Sequence, residues 1–209
     1  MKLLLTLALV GLFSSFTFAQ EPTEPVAPEK KEEAPAPAPV PVKEVTVIIS
    51  TTMGDIHLEL DSQNAPGTVE NFLKYVDAKS YDGTIFHRVI SNFMIQGGGF
   101  KIEDDAFKKQ KTNAPIENES AQTPSNMRGT VAMARTSAPN SATNQFFINT
   151  VDNPFLNHPN NGGGYATFGK VTKGLEIVDK IKATQTVSKN GMQDVPVETI
   201  TINAIKRAK

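Results

Sequence analysis

Eight short apolar or alternating runs, each broken by turn residues, occupy most of the chain after Glu44 and leave room for only two helical patterns. The runs fall at 45–50, 56–60, 84–89, 93–96, 129–134, 145–149, 166–171 and 197–205. Alternation with period two marks half-buried strands, and Thr52-Met53-Gly54-Asp55 between the first two is a hairpin signal carried by the glycine. Helical spacing recurs over 65–79, through Val69, Phe72, Leu73 and Val76, with Thr68 as the cap or in the first turn. A second helix is expected over 175–182, burying Ile177, Val178 and Ile181. Many short strands with two helices mean a mainly β domain. Pattern alone leaves a closed barrel and a sandwich with added helices equally open.

One stretch departs from the composition of a plain core. In Phe86-His87-Arg88-Val89-Ile90-Ser91-Asn92-Phe93-Met94-Ile95-Gln96-Gly97-Gly98 the apolar residues suit a packed sheet, but Arg88 and Gln96 do not. Strict alternation places Phe86, Arg88 and Ile90 on one face, and Met94 and Gln96 on one face of the next strand. Apolar surface with a few converging donors is the usual make-up of a ligand pocket. The run Gly97-Gly98-Gly99 suits a tight exit from the strand. Taken alone, Arg88 reads more readily as half of an ion pair than as a catalytic group, and Phe93 and Met94 as simple core. Further on, Gln145 and Phe147 share one face of a strand whose other face takes Phe146, so one aromatic can line a groove while its neighbour fills the core.

Taken together, the 86–98 stretch and Asn144-Gln145-Phe146-Phe147-Ile148 resemble the signature of the cyclophilin-type peptidyl-prolyl isomerases. The resemblance spans essentially residues 45–205. It implies a closed eight-stranded antiparallel β-barrel capped by two α-helices, and an enzyme that accelerates rotation about X-Pro bonds. It assigns Arg88, Phe93 and Gln96 to catalysis. Met94, Gln145, Phe147, Phe155, Leu156 and Tyr165 are assigned to the proline site, together with the backbone of Ala134 and Arg135. Arg135 stands where many members have asparagine, Tyr165 where many have histidine, and Phe155 where many eukaryotic members have tryptophan. The last replacement resembles the bacterial exported branch. The competing reading is a chaperone module that captures proline-containing segments with incidental catalysis. Arg88 favours the enzyme, because a proline ring can be bound without an arginine.

Other function classes have little to rest on. The chain has no cysteine, so neither a thiol nucleophile nor a disulfide framework is available. His57, His87 and His158 lack paired metal spacing, and the triple glycine lacks the lysine and Ser/Thr of a phosphate loop. A formal charge of −1 offers no basic field for nucleic acid or an anionic membrane. Neither metal nor cofactor is expected. Lys108-Lys109-Gln110-Lys111 reads as a solvated loop.

Residues 1–19, with Lys2 ahead of an apolar run and small or polar residues before Ala19, have the layout of a cleaved secretory signal. Residues 20–43 hold seven prolines between Pro22 and Pro41, among alanine, glutamate and lysine, and read as a semi-rigid linker. Residues 44–209 form the isomerase domain. The expectation is an exported, periplasmic monomer that acts on proline-containing peptides and unfolded exported proteins and has no membrane contact after signal cleavage.

Overall fold

The computed structural model describes residues 45–208. The signal peptide and linker read at 1–43 lie outside the described residues. In chain order the elements are β1 (Val45–Thr51), β2 (Gly54–Leu60), α1 (Pro66–Asp77), β3 (Thr84–Ile90), β4 (Met94–Gly97), β5 (Phe100–Glu103), β6 (Ala106–Lys109), β7 (Thr130–Met133) and β8 (Phe146–Asn149). They continue with a 3-10 turn (Pro154–Leu156), α2 (Asn160–Gly163), β9 (Thr167–Lys173), α3 (Leu175–Lys182), β10 (Thr186–Lys189), β11 (Met192–Pro196) and β12 (Thr201–Arg207).

Eight strands close into an antiparallel barrel in the order β1-β12-β3-β4-β8-β7-β9-β2. Each corresponds to one of the eight expected runs. The β1–β2 hairpin turns at Thr52-Met53, with Thr51 opposite Gly54. The inner face carries one continuous core that includes Val47, Ile49, Ile56, Leu58, Val89, Ile95, Val131, Phe146, Ile148 and Phe168. Both expected helices bury their apolar faces in it. From α1, Phe72 meets the rings of Tyr81, Phe146 and Phe168 at centroid distances of 5.3, 5.6 and 5.0 Å. From α3 come Ile177, Val178 and Ile181.

Thr68 does not cap α1. Ala65 is the N-cap residue, whose methyl group cannot accept a hydrogen bond, and Pro66 and Thr68 lie in the first turn. The exposed helix donors are met from a distant loop. Glu119 accepts from the Gly67 and Thr68 backbone N–H groups at 2.9 and 2.8 Å and from the Thr68 hydroxyl at 2.6 Å. A carboxylate there satisfies donors that would otherwise be orphaned and complements the helix dipole.

Several expectations need correction. Among the described residues a third, short helix joins the two expected ones. The extra one, α2, is a single turn in which Asn161 (φ 52°) and Gly162 (φ 71°) are left-handed, which is why the segment is rich in asparagine and glycine. Two ribbons outside the barrel, β5–β6 and β10–β11, were not anticipated. Lys108 and Lys109 therefore belong to a strand, although both are exposed. The last barrel strand starts at Thr201, because Val197 still donates to the Gln185 carbonyl at the base of the β10–β11 ribbon.

The largest correction concerns the face of Phe86. Phe86 lies opposite Gly97 and Arg88 opposite Gln96, so His87 is an extra residue in β3. This bulge shifts the alternation by one. Phe86 and Val89 both enter the inner core, while Arg88 and Ile90 face outward. Phe86 and Arg88 therefore do not share a face.

Candidate functional site

The outer face of a barrel is normally polar, and here one sector of it is not. Strand register sets Arg88 (β3) opposite Gln96 (β4), Gln96 opposite Phe147 (β8), and Phe147 opposite Ala132 (β7). Ile90 and Met94 form the adjacent row. Met94, Ala132, Phe147 and Leu156 make a second buried cluster, separate from the inner core, with Ile90, Phe93, Ala134 and Tyr165 packed against it. The expected division between Phe146 and Phe147 holds: Phe146 is in the inner core and Phe147 in the outer cluster.

The rim of this cluster is aromatic on one side and polar on the other. Phe155 stacks on Phe93 with centroids 5.5 Å apart and remains 52% exposed, so it is a wall rather than a core residue. Tyr165 meets Phe147 edge-on at 5.8 Å. Gln96 Nε2 donates to Gln145 Oε1 at 2.8 Å. Gly99 lies directly beneath that pair: a Cβ there would come within 2.6 Å of the Gln145 side chain. Close approach thus explains this glycine, where the sequence suggested only a tight exit. The Ala134 N–H donates to the Gln145 carbonyl at 2.9 Å. A peptide held by the main chain of Ala134 therefore has to use its carbonyl.

Arg135 does more than supply backbone. Its Nε and Nη2 donate to the Gly164 carbonyl at 2.9 and 2.8 Å, and Nη2 also reaches the Asn161 carbonyl at 2.8 Å. Its guanidinium carbon sits 4.4 Å over the Tyr165 ring. The side chain thus clamps the glycine-rich loop and holds Tyr165 against Phe147.

The residues that the resemblance assigned to the site lie in or around this one surface, whereas Phe86 lies in the inner core. Ile90 shares the outer face with Arg88 as the alternation suggested, whereas Ala132 and a buried asparagine network were missed. Asn153 Nδ2 donates to the Phe93 carbonyl at 2.8 Å and to Asn149 Oδ1 at 2.7 Å. Asn149 Nδ2 donates to Asn126 Oδ1 at 3.2 Å, and Asn126 Nδ2 to the Tyr165 and Leu156 carbonyls at 3.1 and 3.3 Å. The network ties the loops bearing Phe93, Leu156 and Tyr165 to β8. Its one signal in the sequence is Asn149 closing an otherwise apolar strand, a polar residue that burial would not select without partners.

His87, in the bulge, is buried with its Nδ1 unpartnered and its ring against Phe100 at 4.8 Å. Burial lowers its pKa from the ordinary 6.5 to about 4. The neighbouring Arg88 charge acts in the same direction, and the polar Ile85 backbone and Gln145 side chain oppose it in part. At neutral pH the imidazole is uncharged.

The molecule is thus a closed antiparallel β-barrel that buries a second apolar cluster on its outer face, edged by Arg88 and Gln96. Comparison with known proteins gives the family. The profile described as cyclophilin type peptidyl-prolyl cis-trans isomerase/CLD matches residues 46–207. A peptidyl-prolyl cis-trans isomerase of Streptomyces antibioticus is 55% identical over 164 residues, covering 77% of this chain and 97% of that protein. Peptidyl-prolyl cis-trans isomerase A of Dickeya dadantii is 50% identical, covering 78% and 84%. A cyclophilin-type isomerase from Cryptosporidium parvum, solved in the presence of the dipeptide Ala-Pro, superposes with a TM-score of 0.64 at 28% identity, covering 78% of this chain and 99% of that one. The chain belongs to the cyclophilin-type peptidyl-prolyl cis-trans isomerase family.

Proposed function

We propose that the protein isomerises X-Pro bonds in exported chains, in the periplasm, and that the outer-face groove is where it does so. The observation that carries this reading is the register row Arg88–Gln96–Phe147, which puts a permanent cation at the edge of a buried apolar floor. Rotation about an X-Pro bond faces a barrier of roughly 20 kcal/mol because resonance stiffens the amide. No bond is broken, so the catalyst has only to bind the twisted amide better than either planar form. Twisting makes the prolyl nitrogen pyramidal and basic. Arg88, protonated at any physiological pH, donates to it.

Met94, Phe147 and Leu156 hold the proline ring, with Phe93 and Phe155 as one wall and Tyr165 as the other. Gln96, Gln145, the Ala134 carbonyl and the Arg135 backbone hold the part of the peptide that stays fixed. The export reading rests on residues 1–19 alone, whose charge and hydropathy pattern suit a secretory signal. The test is cis/trans relaxation of a short X-Pro peptide with and without protein, alongside N-terminal sequencing of the mature chain. Acceleration is expected, with an N-terminus at Gln20. Peptide binding without acceleration would leave a capture module.

The clamp made by Arg135 supplies a second test. Arg135→Ala should loosen the Tyr165 wall and raise KM for an X-Pro peptide about fivefold, equivalent to roughly 1 kcal/mol of lost packing and hydrogen bonding. Turnover should change less than twofold. A fall in kcat with KM intact would show that Arg135 does not act through the wall.

A further inference from the structure

The groove's arginine has a partner that is not part of the barrel. Arg88 Nε lies 3.5 Å from Oδ2 of Asp194, on β11. In the β10–β11 ribbon Val187 faces Val195 and Lys189 faces Met192, so Gln193 and Asp194 together oppose the single residue Ser188. Asp194 itself is left-handed, with φ 59°. Irregularities of this kind re-aim a side chain. The ribbon is held on both sides of that point. Val195 is buried beside it, and Asn190 Nδ2 at the tip donates to the Asp105 carbonyl, in the turn of the β5–β6 ribbon, at 2.8 Å. Both partners are substantially exposed, 43% for Arg88 and 36% for Asp194, and ion pairs this open contribute little to stability. A left-handed aspartate on an anchored ribbon is costly backbone for so small a gain.

We propose that Asp194 is a positioning residue for Arg88, and that the β10–β11 ribbon exists at this point to present it. The carboxylate engages the Nε edge of the guanidinium and leaves the Nη groups to the prolyl amide. A long side chain loses rotamer freedom when it reaches its target, and an anchor removes that freedom before substrate arrives. The inference rests on the catalytic reading of Arg88 given above.

The test uses Asp194→Asn, because asparagine tolerates the left-handed backbone and removes only the charge. Turnover is expected to fall about fivefold, with KM for an X-Pro peptide and the thermal midpoint nearly unchanged. Asp194→Glu, which keeps the charge, should retain more activity than Asp194→Asn. Raising the salt should narrow the gap between wild type and Asp194→Asn, since an open pair is screened. On an Arg88→Ala background, Asp194→Asn should have no further effect. Full activity of Asp194→Asn, or an equal loss on the Arg88→Ala background, overturns the positioning role. If Arg88→Ala is itself fully active, the catalytic reading fails instead, so the two failures are distinguishable.

Discussion

Arg88→Ala is expected to lower turnover about a hundredfold while leaving the thermal midpoint within a few degrees of wild type. The first half follows from electrostatic complementarity to the twisted amide. A preorganised charged donor aimed at a lone pair that exists only in the transition state is worth roughly 3 kcal/mol, which is about two decades in rate. Peptide affinity should change far less, because the floor made by Met94, Phe147 and Leu156 is untouched. The second half follows from the exposure of the Arg88–Asp194 pair, at 43% and 36%: pairs this open contribute about 0–1 kcal/mol. An arginine kept only for its ion pair would show the reverse pattern, a lowered midpoint with unchanged activity per folded molecule. Arg88→Lys should also be impaired, since a flexible ammonium cannot reproduce the guanidinium's planar fork. Thermal midpoint, peptide affinity and relaxation rate measured on one preparation decide between the two. A stable and fully active Arg88→Ala would falsify the catalytic assignment.

The barrel was legible because its strands obey a simple rule. Each has an inner face that must be apolar, so alternation marks it, and all eight barrel strands coincide with runs read from the sequence. The two ribbons obey no such rule. Residues of β5 and β6 are at best half-buried, and most of β10 is exposed, so no apolar period marks them. Asn190-Gly191 at the second ribbon's tip is a hairpin signal that polar flanks obscured. The bulge at His87 was illegible for a different reason. An extra residue changes which faces the later residues occupy without changing the composition, so Phe86 and Arg88 read as neighbours on one face when the barrel wall separates them. The residues of the candidate site were singled out through their resemblance to a family motif. What holds them in place was not: the asparagine network and the aspartate on β11 act mostly through contacts far apart in sequence, and Asn149 at the end of an apolar strand is the one local trace they leave.

The buried bulge also sets a limit on acid tolerance. In the folded protein His87 has a pKa of about 4, against an ordinary value of 6.5, because burial disfavours the charged ring. Folding therefore favours the neutral form. Above pH 6.5 the imidazole is neutral in both states and contributes no pH dependence. As pH falls from 6.5 toward 4, the unfolded chain takes up a proton that the folded protein resists, and stability is lost at up to about 1.4 kcal/mol per pH unit. Below pH 4 both states are charged and this contribution is flat. Between pH 7.5 and 5 the expected loss is about 2 kcal/mol. The lowered carboxylates, Glu70, Asp77 and Asp179, lose their contributions only as pH falls through about 4.5 and below, so they leave this window to His87. His87→Gln should consequently show a flatter stability profile between pH 7.5 and 5 than wild type, whatever its stability at neutral pH. Urea denaturation midpoints taken every half pH unit on both proteins measure the difference. Parallel profiles would mean that the ring accepts its proton without leaving its place against Phe100, and that the bulge holds a solvated histidine rather than a buried one.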